Sequence, residues 1–354
     1  MKVKYCAAMC AAALLSSAVT ANDNVEVYGQ VAISMYSLAE DGKDTVNRLD
    51  NESRVGFRGT AELERAPTLV WQIEGNNVGT GENSGDGQLG LRDTFGGFED
   101  ESWGRVRFGR FLTPAYAIID WPYSNPGLGN VFDWGSDIAG GAYYDRQADQ
   151  ISWDSPNWNG FNMVLAAGRG NNLENSSSNF YGASAHYRVG TLQLHAGYEY
   201  GTERRVEMQD VVSESLMTAN SDYQTYIAGF EVALDHGIGL FGAYKVMTAD
   251  YADHDNGGAD AGTIEGAIGQ KQDQTAYSIG ATYDIGHWHL KVGYSANSDL
   301  EIDSRKVGGT ADSVLSGQAI YFLDDSALVY FRAKTMELND TDFKEVRLGI
   351  EYYF

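Results

Sequence analysis

Glu345-Val346-Arg347-Leu348-Gly349-Ile350-Glu351-Tyr352-Tyr353-Phe354 is the stretch on which the fold turns. Val346, Leu348, Ile350, Tyr352 and Phe354 share one parity, and Glu345, Arg347, Gly349, Glu351 and Tyr353 share the other. A period of two puts the two sets on opposite faces of a β-strand. The opposite end repeats the pattern. Val25, Val27, Gly29, Val31, Ile33 and Met35 alternate with Glu26, Tyr28, Gln30, Ala32, Ser34 and Tyr36.

Between these ends the same alternation recurs, as in Leu192/Leu194/Ala196/Tyr198, Tyr277/Ile279/Ala281/Tyr283 and Leu290/Val292/Tyr294. A soluble sandwich also alternates. Here the polar face carries Arg, Glu, Lys and Gln in succession, which suits a wet lumen, while an apolar face with Tyr near its ends suits lipid. Alternation predicts sixteen strands, starting near residues 24, 51, 67, 88, 104, 144, 160, 180, 191, 223, 238, 274, 287, 313, 327 and 344. Short gaps alternate with long polar ones at 39–50, 79–87, 112–143, 202–222, 250–273 and 301–312. One rim of tight turns and one of long loops is the outer-membrane pattern, and the even count puts both termini on the tight side. Pro67 and Pro156 are expected in short gaps and Pro114, Pro122 and Pro126 in one long loop, since a closed ladder cannot spare an N–H. The expected fold is therefore all-β: a closed antiparallel transmembrane β-barrel of 16 strands.

The first residues read as a leader. Lys2 and Lys4 precede an apolar run from Cys6 to Leu15, too short to span a bilayer, and Val19-Thr20-Ala21 is an acceptable cleavage site. The expected division is a signal peptide at 1–21 and one barrel domain at 22–354. Removing the leader leaves 333 residues, takes both cysteines with it and moves the net charge from −24 to −26. Such acidity argues against nucleic acid as a partner and suits contact with cations or metal-bridged lipopolysaccharide. Acidity for solubility alone stays open. No apolar stretch beyond the leader approaches 18 residues, so no transmembrane helix is expected. Enzyme signals are weak, with no convincing Ser–His–acid set and no phosphate loop. His186 and His195 can oppose each other across a hairpin and His287 and His289 share a face, but two histidines without a third ligand make a poor metal site. The chain is expected to be no enzyme and to need no cofactor or metal.

Four passages carry a resemblance. They are Val27-Tyr28-Gly29, Ser53-Arg54-Val55-Gly56-Phe57-Arg58-Gly59, Phe108-Gly109-Arg110, and the aromatic end Tyr352-Tyr353-Phe354. In this order and spacing the chain resembles the trimeric general porins of Gram-negative bacteria, including those typified by Neisseria. The resemblance implies a homotrimer in the outer membrane, in contact with its lipid and lipopolysaccharide. It also implies a third loop folded into the lumen as a constriction, and a terminal signal, Phe354 with Tyr352, read by the barrel assembly machinery. The chain departs from the enteric members, whose third loop carries Pro-Glu-Phe-Gly-Gly-Asp; here it reads Trp121-Pro122-Tyr123-Ser124-Asn125-Pro126-Gly127.

By parity, Arg54 and Arg58 face the lumen because Val55 and Phe57 face lipid, and Arg92 faces it because Leu91 and Phe95 do not. Arg146 is in phase with Gln150, Ser152 and Asp154. In the family such positions form the basic wall of the constriction. The facing wall is loop 112–143, with Asp120, Asp133 and Asp137 as carboxylates, some of which can instead cap turns. A transverse field between acids and arginines orients water and dipolar solutes. Trp121, Tyr123 and Trp134 of the same loop can stack on sugar faces or pack the loop against the wall. The expected activity is passive diffusion of ions and small hydrophilic solutes. The alternative is a sugar- or oligosaccharide-selective pore using those aromatics. A mild preference for cations is expected from the overall charge and from mouth loops such as Asp250–Asp260.

Overall fold

The computed structural model describes residues 25–79, 86–209, 216–251 and 271–354. The expected leader and most of loop 250–273 lie outside the described residues, as do residues 80–85 and 210–215.

β1 (Val25–Glu40) pairs along one edge with β2 (Val46–Asn51) and β3 (Arg54–Leu63), which form one strand interrupted at Glu52-Ser53. β4 (Ala66–Gly75), β5 (Leu89–Asp100), β6 (Gly104–Leu112), β7 (Arg146–Asp154), β8 (Phe161–Arg169), β9 (Asn179–Val189) and β10 (Leu192–Gln209) follow as antiparallel neighbours. So do β11 (Leu216–Ala233), β12 (Ile238–Asp250), β13 (Lys271–Ile285) and β14 (Trp288–Asn297). A small hairpin of β15 (Leu300–Ile302) and β16 (Arg305–Val307) pairs with the start of β13. β17 (Ser313–Phe322), β18 (Ala327–Leu338) and β19 (Thr341–Tyr353) complete the sheet. β19 then pairs with β1, from Gln30 opposite Tyr353 to Glu40 opposite Phe343, and the barrel is closed. With β2 and β3 counted together and the β15–β16 hairpin set aside, it has sixteen strands.

The faces follow the parity. On β1, Ile33 and Met35 are 41% and 58% exposed while Ser34 and Tyr36 are buried; on β19, Val346, Leu348, Ile350 and Tyr352 are exposed while Glu345 and Arg347 are buried. Large apolar side chains on the outside of a barrel are at home only against lipid. On the other face, glycines stand directly opposite aromatic rings. Gly56 faces Tyr28, Gly201 faces Tyr223 and Gly349 faces Tyr330. A Cβ at any of them would come within 2.6 Å of the ring. The rings lie down over their partner strand because nothing is there to prop them up, which is one use of the 42 glycines.

Expected strand starts fall within three residues of the observed ones at every strand but two. β11 begins at Leu216 rather than near 223, and the second barrel strand begins at Val46 rather than near 51. There the ladder continues through polar sequence, as at Arg204 and Arg205, because backbone pairing does not require an apolar face. Pro67 is not in a gap but second in β4. It sits where the β3–β4 register shifts between Ala61 and Leu63, so the missing N–H leaves no rung of that ladder open.

Gly349→Ala should destabilise the folded barrel by about 1–3 kcal/mol, because the methyl displaces Tyr330. Gly317→Ala, whose nearest contact is at 3.9 Å, should be nearly neutral. Thermal melting of the unboiled folded species on gels reads both, and equal effects would refute the packing account.

Candidate functional site

The segment between β6 and β7 is built to be pinned. Thr113 Oγ1 accepts from the Tyr116 N–H at 3.4 Å and caps α1 (Pro114–Ile118), with Pro114 in the first turn where no N–H is missed. After a bend at 119–123 comes α2 (Gly129–Phe132). Ile118, Ile119, Tyr123, Leu128, Val131 and Phe132 are buried, in one cluster with Tyr223, Ile227, Phe241 and Met247. Polar ties run from the strands to this loop. Ser278 Oγ donates to the Tyr123 carbonyl at 2.7 Å, Lys291 Nζ to Asn125 Oδ1 at 2.8 Å and Lys334 Nζ to Asn130 Oδ1 at 2.7 Å. Lys245, fully buried, donates to the Phe132 carbonyl and, at 3.0 Å, to Tyr143 Oη. Glu199 accepts from the Tyr144 N–H at 2.7 Å near the loop's other end.

Two of the three loop carboxylates serve the same anchorage. Asp133 is buried and accepts from Tyr116 Oη at 3.0 Å; Asp137 accepts from Gln274 Nε2 at 2.8 Å. Burial pushes both carboxyls above the usual range, opposed at Asp133 by the Lys245 charge and at Asp137 by the Gln274 bond. Asp120 differs. Its side chain is exposed; partial desolvation beside the barrel raises it too, but the charges that pull it back are those of Arg146, Arg92 and Arg54. Of the expected acids, Asp120 is the one on which the charges of this arginine trio act.

The arginines arrive from three strands. Arg92 Nε, on β5, lies 2.5 Å from Glu74 Oε1, and Arg54 Nε, on β3, lies 3.5 Å from the same oxygen. Arg146 Nε, at the start of β7, lies 2.6 Å from Asp93 Oδ1. Arg58 stands apart, four residues or about 13 Å further along β3. It pairs with Glu26 at 2.7 Å and covers the Tyr28 ring at 4.6 Å. The parity argument used for Arg92 holds for Leu91, which is exposed, and fails for Phe95. Phe95 lies opposite Gln72 and packs edge-on against Phe111, because the β4–β5 register shifts between Ile73 and Gly75. A reading that looked for cations also missed their partners. Glu74 has the parity of Gln72 and was open to inference, whereas Asp93 lies in the irregular stretch and was not. Arg107, stacked on Phe111 at 4.3 Å and paired with Asp154 at 2.9 Å, was missed as well.

The loop aromatics divide. Tyr123 is fully buried against Phe132, His195 and Phe241, which leaves it no face for a solute. Trp121 lies under Lys291 Nζ at 4.7 Å. Trp134 is 71% exposed. His186 and His195 do meet, with Nδ1 atoms 3.3 Å apart, and His289 bonds Asp284. Among the described residues no group of three or more His, Cys, Asp or Glu side chains could hold a metal.

A closed sixteen-stranded barrel with a polar inner set and one long pinned loop is the architecture of a channel. The profile of Gram-negative porins matches residues 6–341. The chain belongs to the Gram-negative porin family. It is similar to a chitoporin of Vibrio furnissii, 36% identical over 361 residues that cover 95% of this chain and 93% of the relative. It is 25% identical to major outer membrane protein P.IB of Neisseria gonorrhoeae, over 84% of each chain. The trimer form of OmpT, an outer membrane protein of Vibrio cholerae, shares the fold with a TM-score of 0.67 at 16% identity, over 93% of this chain and 99% of that one. This porin is thus an outer-membrane channel.

Proposed function

We propose that this porin passes ions and small hydrophilic solutes through a neck bounded by Arg54, Arg92 and Arg146 on one side and by loop 112–143, folded into the lumen, on the other. The observation that carries this reading is the convergence of Arg54, Arg92 and Arg146 from three strands, with Asp120 the loop carboxylate on which their charges act against the desolvation that raises it. The ties from Ser278, Lys245, Lys291 and Lys334 to the loop support it, since these side chains belong to the polar set of their strands. A transverse field results, and the net negative charge enriches cations near the mouth within a Debye length of ~8 Å at physiological salt. Replacing Arg54, Arg92 and Arg146 together by Ala should raise both single-channel conductance and cation preference, because bulk and positive charge leave at once. A triple variant with both quantities unchanged would remove these arginines from the neck.

The second reading is a pore for sugar oligomers, including those of chitin. It is favoured by the 36% identical relative named chitoporin and by Trp134, whose ring is 71% exposed on the loop. An exposed indole face stacks on the apolar face of a pyranose. Chitin oligosaccharides should then block single channels in a concentration-dependent way, and Trp134→Ala should weaken the block about tenfold, a loss of ~1.4 kcal/mol. Channels indifferent to these sugars leave the general diffusion reading alone.

The assembled protein is proposed to be a homotrimer of chains that begin at Asn22, in contact with outer-membrane lipid and lipopolysaccharide. Phe354 and Tyr352 are proposed as its signal to the assembly machinery. The trimer is supported by the family and by the trimeric OmpT form. Native and denatured mass of the purified protein decide subunit number and leader removal together. Deleting Phe354 should lower the outer-membrane yield more than it lowers the melting temperature of what does insert.

A further inference from the structure

We infer that Glu74 is the specificity-determining residue of the neck: its single carboxylate, shared by Arg54 and Arg92, cancels one of the wall's three positive charges at the point where two guanidiniums converge. This inference rests on the proposal that Arg54, Arg92 and Arg146 line the neck. Glu74 Oε1 accepts from Arg92 Nε at 2.5 Å and lies 3.5 Å from Arg54 Nε; Oε2 accepts from Tyr28 Oη at 2.6 Å. Its side chain is 10% exposed, so its charge acts where water screens it weakly.

The position is built by four strands. Glu74 comes from β4, the two arginines from β3 and β5, and Tyr28 from β1. Tyr28 reaches Glu74 only because its ring lies against Gly56, where a Cβ would come within 2.6 Å of the ring Cζ. Tyr28 donates to the carboxylate and so keeps it aimed at both guanidiniums, without adding a positive charge of its own.

The local count gives this geometry its meaning. Arg54, Arg92 and Arg146 bring three positive charges; Glu74, Asp93 and the loop's Asp120 bring three negative ones, and exposed Asp145, next to Arg146 in the chain, adds a fourth. A basic wall with free guanidiniums would favour anions. With Glu74 and Asp93 in place the same arginines remain as hydrogen-bond donors and bulk, while the net charge of the wall falls from three to one. Such a neck discriminates weakly by charge and leaves polar uncharged solutes unpenalised. Glu74 differs from Asp93 in serving two arginines, so its loss leaves both without their carboxylate.

Reversal potentials of the full-length protein in planar bilayers across a potassium chloride gradient test this. Glu74→Gln keeps the shape and can still accept from Tyr28. It should lower the cation-to-anion permeability ratio roughly threefold at low salt. The shift should shrink at 1 M salt, where the Debye length is about 3 Å. The double variant Arg54→Gln with Glu74→Gln should return the ratio toward that of the native pore. Glu26→Gln, which removes an equal charge beside Arg58, should move it less. If Glu74→Gln does not insert, Arg54→Gln with Arg92→Gln on the native Glu74 background must raise the ratio instead. An unchanged ratio in Glu74→Gln, a shift indifferent to salt, or a double variant that fails to compensate overturns the inference. A silent Glu74→Gln beside an altered triple arginine variant refutes this inference alone, whereas a silent triple variant refutes the neck itself.

Discussion

Every backbone amide and carbonyl in a bilayer needs a partner from the chain itself, and that requirement organises this molecule. A sheet satisfies it only when its first and last strands meet. Here Gly29 N–H donates to the Phe354 carbonyl at 2.9 Å and Phe354 N–H to the Gly29 carbonyl at 3.1 Å, just beyond the β1–β19 ladder. With the ladder closed, side chains are free to divide by parity alone. One set meets lipid and the other meets water, the loop, or each other.

The inner set is more varied than a water-filled tube suggests. Around β8 to β14 it is a conventional core, in which loop aromatics and aliphatics pack on Tyr223, Phe241 and Met247. Around β2 to β7, and again at β18 and β19, it is an electrostatic lattice. Arg347 there bonds Asp50 at 2.6 Å and Glu345 at 3.0 Å, and Glu345 also meets Lys334 at 3.2 Å. Removing one member of such a buried network leaves its partner charged and unpaired, so the lattice constrains sequence more tightly than its net stabilisation suggests.

The architecture was legible in the sequence because period two survives wherever the register is regular. The alternations at Val25–Tyr36 and Glu345–Phe354 sufficed for a barrel, and the gap lengths for its two rims. Legibility failed where the register slips. Between Ile73 and Gly75, and again between Gly109 and Phe111, the ladder skips, and parity carried past those points assigns the wrong face, as it did for Phe95. The arginines Arg54, Arg92 and Arg146 of the proposed neck were nominated from parity and a family resemblance together. Their carboxylates were not, since pairing across strands depends on which residues come opposite, a property of register rather than of any one strand. The burial of Tyr123 was equally hidden, because a loop's aromatic residues carry no period from which to read a face.

The loop's anchorage has a bearing on environment. Lys245, Lys291 and Lys334 grip it largely through neutral acceptors: a backbone carbonyl, a tyrosine hydroxyl and two asparagine side chains. Dissolved salt weakens attraction between separated charges but barely touches a short hydrogen bond shielded from water. The loop should therefore hold its place from dilute to saline surroundings while the proposed field across the passage fades. Salinity would then retune which ions are preferred without altering how large a molecule is admitted, so that sieving and charge preference answer to different properties of the medium.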